Sequence, residues 1–186
     1  MPKLFMLLIG CTPPGRHTEQ HDIYFGIGET IKDLIPEVIE FWPEAKGKLH
    51  FDAWREVTKV GGHSVKIVAA EEAIISSITR LFFINLGGYK KDEFEEFHYK
   101  MLIAANSKAE AISQSKKTAF YRHTGFKGAN SHIDDKYGID VDDVFEIADV
   151  LGEGVKRKFR IVVTDDIENG GEDQVHLGYF KLSMFL

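Results

Sequence analysis

Apolar and polar positions along the chain fall into two series with the same order. Leu4 to Ile9 is a six-residue apolar run closed by Gly10, and a similar run recurs as Leu81-Phe82-Phe83-Ile84-Asn85-Leu86-Gly87. Runs this short, closed by glycine, read as buried strands. A polar loop then leads in each case to a second predicted strand, about 22–28 and about 97–105. A helix follows. Ile31, Leu34, Ile35, Val38, Ile39 and Trp42 recur at i, i+3, i+4, i+7, i+8 and i+11, which draws one apolar face suited to packing on a sheet. Pro36 has no N–H to give, so this helix begins near Asp33 or kinks, and Pro43 ends it. The second helix, about 108–122, has a thinner stripe of Ala109, Ile112, Ala119 and Phe120. Both starts carry a hydroxyl followed three residues later by an acid, Thr30 with Asp33 and Ser107 with Glu110, the pattern of a capping box.

Beyond each helix the pattern changes to alternation. Leu49, Phe51, Ala53 and Val57 oppose His50, Asp52, Trp54 and Glu56, and Ile139, Val141, Phe145 and Ile147 oppose Asp140, Asp142 and Glu146. Glycine turns at Gly61-Gly62 and Gly152-Glu153-Gly154 then predict hairpins returning as Val65 to Ala69 and Phe159 to Val163. A last strand, Val175 to Leu182, has no counterpart in the first series.

A shift of 77 positions aligns Leu4, Phe5, Gly10, Glu19, His21 and Ile35 with Leu81, Phe82, Gly87, Glu96, His98 and Ile112 without a gap. Together with the shared order of elements, this predicts an α+β protein of two divergent β-β-α-β-β repeats. The expected domains are residues 1–77 and residues 78–186, with mainly antiparallel sheets and approximate twofold pseudo-symmetry. The second repeat is the longer, with an insert from Thr124 to Asn130. Glu71 to Arg80 lacks the composition of a flexible tether, so the halves are expected to touch.

Composition narrows the functional classes. With 186 residues, 44% of them apolar, the chain has enough material for a sizeable core, and its 14 Phe belong mostly inside it. A net charge of −6 opposes broad binding to nucleic acid or to an anionic membrane. The basic and aromatic stretch from Lys116 to Lys127 is the exception, but the acidic stretch from Asp134 to Glu153 offers it an internal or intersubunit partner. Cys11 is the single cysteine, which excludes an intramolecular disulfide and fits a reducing, cytoplasmic setting. Leu8-Ile9-Gly10-Cys11 resembles a lipoprotein processing site, yet the preceding run is too short for a signal or a membrane span and recurs inside the chain.

Gly10 to Glu29, Phe51-Asp52-Ala53-Trp54-Arg55-Glu56, Leu81 to Phe97 and Thr124 to Gly138 together resemble the bacterial domain-of-unknown-function family 1543, which occurs in one or two copies per chain. The resemblance implies a bacterial source and a two-copy arrangement. It implies no activity, substrate or catalytic residue.

The most suggestive chemistry is duplicated: Glu19-x-His21 with His50-x-Asp52, and Glu96-x-His98 with His132-x-Asp134. Spacing of i, i+2 on an extended chain puts both side chains on one side. Two His and two carboxylates in each half would suit zinc, manganese or iron, and could also line an organic-ligand site, but His and carboxylates at strand ends more commonly form a hydrogen-bonded structural network. Cys11, at the end of a strand, reads as a structural thiol, and His17 as a loop residue after Pro13, Pro14 and Gly15. Gly26-Ile-Gly28 before a helix is too short for a phosphate loop.

The leading expectation is a non-catalytic protein that binds a small or anionic ligand near the junction of its repeats. A divalent-metal-dependent enzyme built on the duplicated Glu, His, His and Asp sets is the alternative, and a structural module that forms homo-oligomers is the third.

Overall fold

The structure, a computed structural model, describes residues 1–72, 78–89, 92–124, 140–166 and 171–186. His132 and Asp134 lie outside the described residues, as does most of the Thr124 to Asn130 insert. Two compact units are present: Met1–Ile75 together with Leu151–Leu186, and Ser76–Val150. Among the described residues no helix is long and apolar enough to cross a membrane.

The first unit is organised on β1 (Lys3–Cys11), flanked by β2 (Gln20–Gly28) and β3 (His50–Glu56), with β10 (His176–Lys181) outside β3. All three pairings are antiparallel. Phe5, Leu7, Ile9 and Cys11 point to one face of β1, where Ile31, Leu34, Ile35, Val38 and Phe51 close a buried core. Each large side chain buried here stabilises the fold by about 1.5–3 kcal/mol.

The first predicted helix forms as a 3₁₀ turn, Ile31–Leu34, running into α1 (Ile35–Phe41). Pro36 sits in the first turn of α1, where its missing N–H costs nothing. The change from three residues per turn to 3.6 rotates the apolar stripe, so Ile39, expected on the packed face, is exposed. The predicted cap is present: the Asp33 carboxylate accepts the Thr30 backbone N–H at 2.8 Å and the Glu29 N–H at 3.0 Å. These bonds hold the Asp33 carboxyl below its ordinary pKa, the Thr30 backbone bond being the largest cause.

In the second unit β6 (Arg80–Tyr89) lies between β7 (Glu96–Ala105) and β8 (Asp140–Glu146). α2 (Lys108–Thr124) packs across all three strands. It approaches through small residues: Ala111 and Ser115 are fully buried, whereas Ala109 of the predicted stripe is exposed. Ser115 tolerates burial because its hydroxyl donates to the Ile112 carbonyl at 2.8 Å. The Ser107 hydroxyl accepts the Glu110 N–H, and the Glu110 carboxylate accepts the Asn106 N–H.

The units share a strand order, β2-β1-β3 in one and β7-β6-β8 in the other. Their registers also agree at the 77-residue shift: His21 stands opposite Gly10 and His98 opposite Gly87. The third strand is bulged in both, between Leu8 and Ile9 of β1 and between Asn85 and Leu86 of β6.

The segment after residue 150 departs from expectation. α3 (Ile147–Val150) and α4 (Glu153–Lys158) fill the place of the predicted glycine hairpin. β9 (Phe159–Asp165) then pairs with β5 (His63–Ala69) rather than with β8. β10 likewise pairs with β3, so residues 151–186, assigned by their order to the second repeat, complete the first unit. The other glycine turn forms as read: Gly61 and Gly62, at φ 55° and 81°, join β4 (Lys59–Val60) to β5 in a tight hairpin.

Candidate functional site

The site starts from a glycine with a histidine on either side. In the antiparallel ladder Gly10 faces His21 on β2 and His50 on β3, so both imidazoles rise from the sheet face to which Gly10 belongs. The β3 bulge adds a third group. Ile9 pairs with Phe51 and Leu8 with Ala53, which leaves Asp52 as the extra residue, and the carboxylate turns toward Gly10. A Cβ at position 10 would lie 2.6 Å from both Asp52 Oδ2 and His50 Nε2, closer than atoms can approach. Glycine is therefore required because functional groups occupy the space above it. Glu19, the last loop residue before β2, reaches in from the edge.

The four sequence-predicted residues converge. His21 Nε2 lies 3.0 Å from Asp52 Oδ2 and 3.7 Å from Glu19 Oε2. His50 Nε2 lies 3.1 Å from Glu19 Oε1 and 3.3 Å from Asp52 Oδ1. Each carboxylate thus spans both imidazoles with its two oxygens. Two donors held about 2.0–2.1 Å from a tetrahedral zinc stand about 3.3–3.4 Å apart, which these four imidazole–carboxylate separations bracket. His50 Nε2 and Asp52 Oδ2 are buried, and their contacts within the quartet lack the geometry of a directed hydrogen bond. The His50 side chain is only 6% exposed, against 40% for His21 and 42% for Glu19. An unpartnered buried polar atom costs about 1–3 kcal/mol unless something else satisfies it. Two carboxylates carry two negative charges, and one divalent cation balances them with both imidazoles neutral.

β10 borders the site. The Tyr179 ring lies over His50 with centroids 4.1 Å apart, and His176 stacks on Trp54 at 3.8 Å. A cleft of about 390 Å³ beside Phe5, Trp54 and Phe185 is lined by none of the four site residues.

The second unit assembles a smaller set. Ligating atoms of Glu96, His98 and Asp142 all lie within 4.8 Å of one another, with His98 Nε2 3.4 Å from Asp142 Oδ2. Gly87 repeats the role of Gly10, since a Cβ there would run into the Asp142 carboxylate. The His98 and Asp142 side chains are 39% and 30% exposed, close to the 40% and 28% of His21 and Asp52, and the difference lies opposite Gly87, where β8 has Asp140 and β3 has His50. Asp142 is hidden in the sequence because the His-x-Asp spacing recurs at His132 and Asp134. The register instead equates Asp142 with Asp52. The signal lay in Asp140-Val141-Asp142 on the predicted strand, which stands where His50-Phe51-Asp52 stands in the first series.

The remaining candidates have other roles. Cys11 is buried in the core, and its thiol pKa is raised by burial and by the nearby Glu19 charge. His17 is exposed on the loop before β2. Gly26 and Gly28 admit the 3₁₀ turn, since a Cβ at either would press on Leu34 or Asp33. Lys116 and Lys117 are exposed on α2, and Lys127 lies outside the described residues.

The model of a family described as Domain of Unknown Function (DUF1543) matches residues 16–67, a stretch that contains Glu19, His21, His50 and Asp52. No curated protein matches the chain. Among solved structures, a crystal structure of a protein Il1583 from Idiomarina loihiensis resembles it with a TM-score of 0.63 and 22% identity over 98% of each chain. That likeness shows a shared fold.

Proposed function

We propose that this protein binds a divalent transition metal in its first unit, through His21, His50, Asp52 and Glu19. The observation that carries this reading is the buried Nε2 of His50, which makes no directed hydrogen bond, placed among two carboxylates and a second imidazole above a glycine that leaves them room. Nitrogen and oxygen donors in this ratio suit zinc, manganese or iron(II). Agreement of strand order, register and bulge supports a further reading, that the two units are divergent copies and that the donor set of the second has been reduced. The ligand-binding and enzymatic expectations then share one centre, because a metal can anchor a small anion or polarise a substrate oxygen.

The test is metal content. Protein purified without chelator should carry close to one equivalent of transition metal, and His21→Gln with His50→Gln together should lose it while the fold is retained. A metal-free wild-type protein that takes up none of zinc, manganese or iron(II) on reconstitution, or a double variant that fails to fold in a metal-free protein, would make the quartet a structural network.

A further inference from the structure

Resting on that metal reading, we infer that Glu19 is a displaceable ligand and that a small oxyanion, a carboxylate or a phosphate, takes its place on the metal. Three of the four donors are fixed by the sheet. His21 within β2 and His50 within β3 are both paired with Gly10, and Asp52 is the bulge residue held between the paired Phe51 and Ala53. Glu19 differs in kind. It belongs to the loop that precedes β2, and its side chain is 42% exposed.

The contacts of Glu19 are uneven: one oxygen lies 3.1 Å from His50 Nε2 and the other 3.7 Å from His21 Nε2, against 3.3 and 3.0 Å for Asp52. The loop is anchored close to Glu19 through backbone. The Gln20 side-chain amide donates to the Glu19 carbonyl at 3.2 Å and to the Thr18 carbonyl at 3.3 Å. The carboxylate can therefore swing outward without unpairing a strand.

Charge and access point to the same occupant. Replacing one carboxylate by an external carboxylate keeps the net charge of the metal set unchanged, and a phosphate makes it at most about one unit more negative, whereas a neutral ligand leaves a carboxylate's charge uncompensated. Arg16 and His17, both hydrogen-bond donors, precede Glu19 on the same exposed loop. His21, 40% exposed, marks the open flank, whereas Tyr179 lies over His50 on the other. Metal sites that keep one exchangeable position are those that do chemistry or bind ligands, and closed four-ligand sites are structural.

The experiment uses the full chain loaded with cobalt(II), whose visible absorption reports coordination. Acetate and inorganic phosphate are titrated separately into the wild type, Glu19→Ala and His50→Gln, with circular dichroism and melting curves confirming that each variant is folded. Glu19→Ala should keep cobalt with affinity within about tenfold of wild type, while His50→Gln weakens it by about a hundredfold or more. The wild-type spectrum should change saturably with at least one of the two anions, and removal of the competing carboxylate should tighten that anion by about five- to tenfold. Which anion acts separates a carboxylate from a phosphate ligand. The inference is overturned if Glu19→Ala loses cobalt as fully as His50→Gln, which makes Glu19 an obligatory fourth ligand and leaves the metal reading intact. Spectra that answer to neither anion in wild type and in Glu19→Ala overturn it as well. A wild-type protein that takes up no cobalt, zinc, manganese or iron(II) removes both proposals.

Discussion

The same three devices, a Glu-x-His pair, a glycine beside the histidine and a bulge that turns an acid onto that glycine, occur in both units, with different results. In the first, the strand opposite Gly10 supplies His50, and four groups converge around a buried imidazole. In the second, the corresponding position is Asp140, and the remaining three groups meet without a buried imidazole. Backbone geometry therefore sets where donors can meet. On the proposed metal reading, one side chain and its burial separate the two meeting places.

The largest effect should come from removing that side chain. His50→Gln makes the first set resemble the second, and its metal affinity should fall by about a hundredfold or more, measured by competition with a chromogenic chelator. If His50→Gln binds metal as well as wild type, the difference between the units lies elsewhere than in the buried imidazole. The reciprocal change is expected to act less strongly. Asp140→His adds a nitrogen donor to an exposed set, and should raise zinc binding by the second unit about tenfold in a His50→Gln background.

The two glycines break the comparison differently. Gly10→Ala places a methyl 2.6 Å from both His50 Nε2 and Asp52 Oδ2, and His50 is too buried to give way. Metal binding should be lost, with a stability decrease of about 1–3 kcal/mol in a denaturant titration. Gly87→Ala meets only the carboxylate of exposed Asp142, which can rotate into solvent, so its stability cost should stay below about 1 kcal/mol. Equal costs at the two positions would mean that the second set is as rigid as the first.

Much of this arrangement is legible in the sequence, and the illegible part has identifiable causes. The apolar runs, the capping acids and the Glu-x-His pairs obey local rules of period and spacing, so β1, β2, β6, β7 and both helix starts were readable. Glu19, His21, His50 and Asp52 were readable as a set because the repeat singled them out. Partner choice between strands is not local: nothing in Phe159 to Val163 says that its edge will find β5 rather than β8. The bulges were also invisible, since alternation by itself places Asp52 and Trp54 on one face, whereas the shift at Leu8 and Ile9 sends Trp54 to the core and leaves Asp52 on the face of Gly10. Asp142 is hidden for a related reason, since its equivalence to Asp52 is set by strand register and not by residue type.

The smallest expected effect concerns the helix starts, where the units are alike in design. Asp33 and Glu110 each accept backbone N–H groups just ahead of a helix, but Asp33 accepts two, from Glu29 and Thr30, and also the Thr30 hydroxyl at 3.1 Å. These bonds favour the charged carboxylate and lower its pKa from the ordinary value. A carboxyl whose pKa is lower in the folded than in the unfolded chain stabilises the fold above its unfolded value, about 3.9, and that contribution disappears as the pH falls through the lower folded value. Asp33→Asn should accordingly lower the melting temperature by no more than a few degrees near neutrality, and the gap to wild type should close as the pH is taken below about 4. Melting curves of the two proteins between neutral and acid pH measure this directly. A gap that stays constant over the whole range would mean that Asp33 acts through the shape of its hydrogen bonds and not through its charge, and the first turn of this helix would then owe nothing to electrostatics.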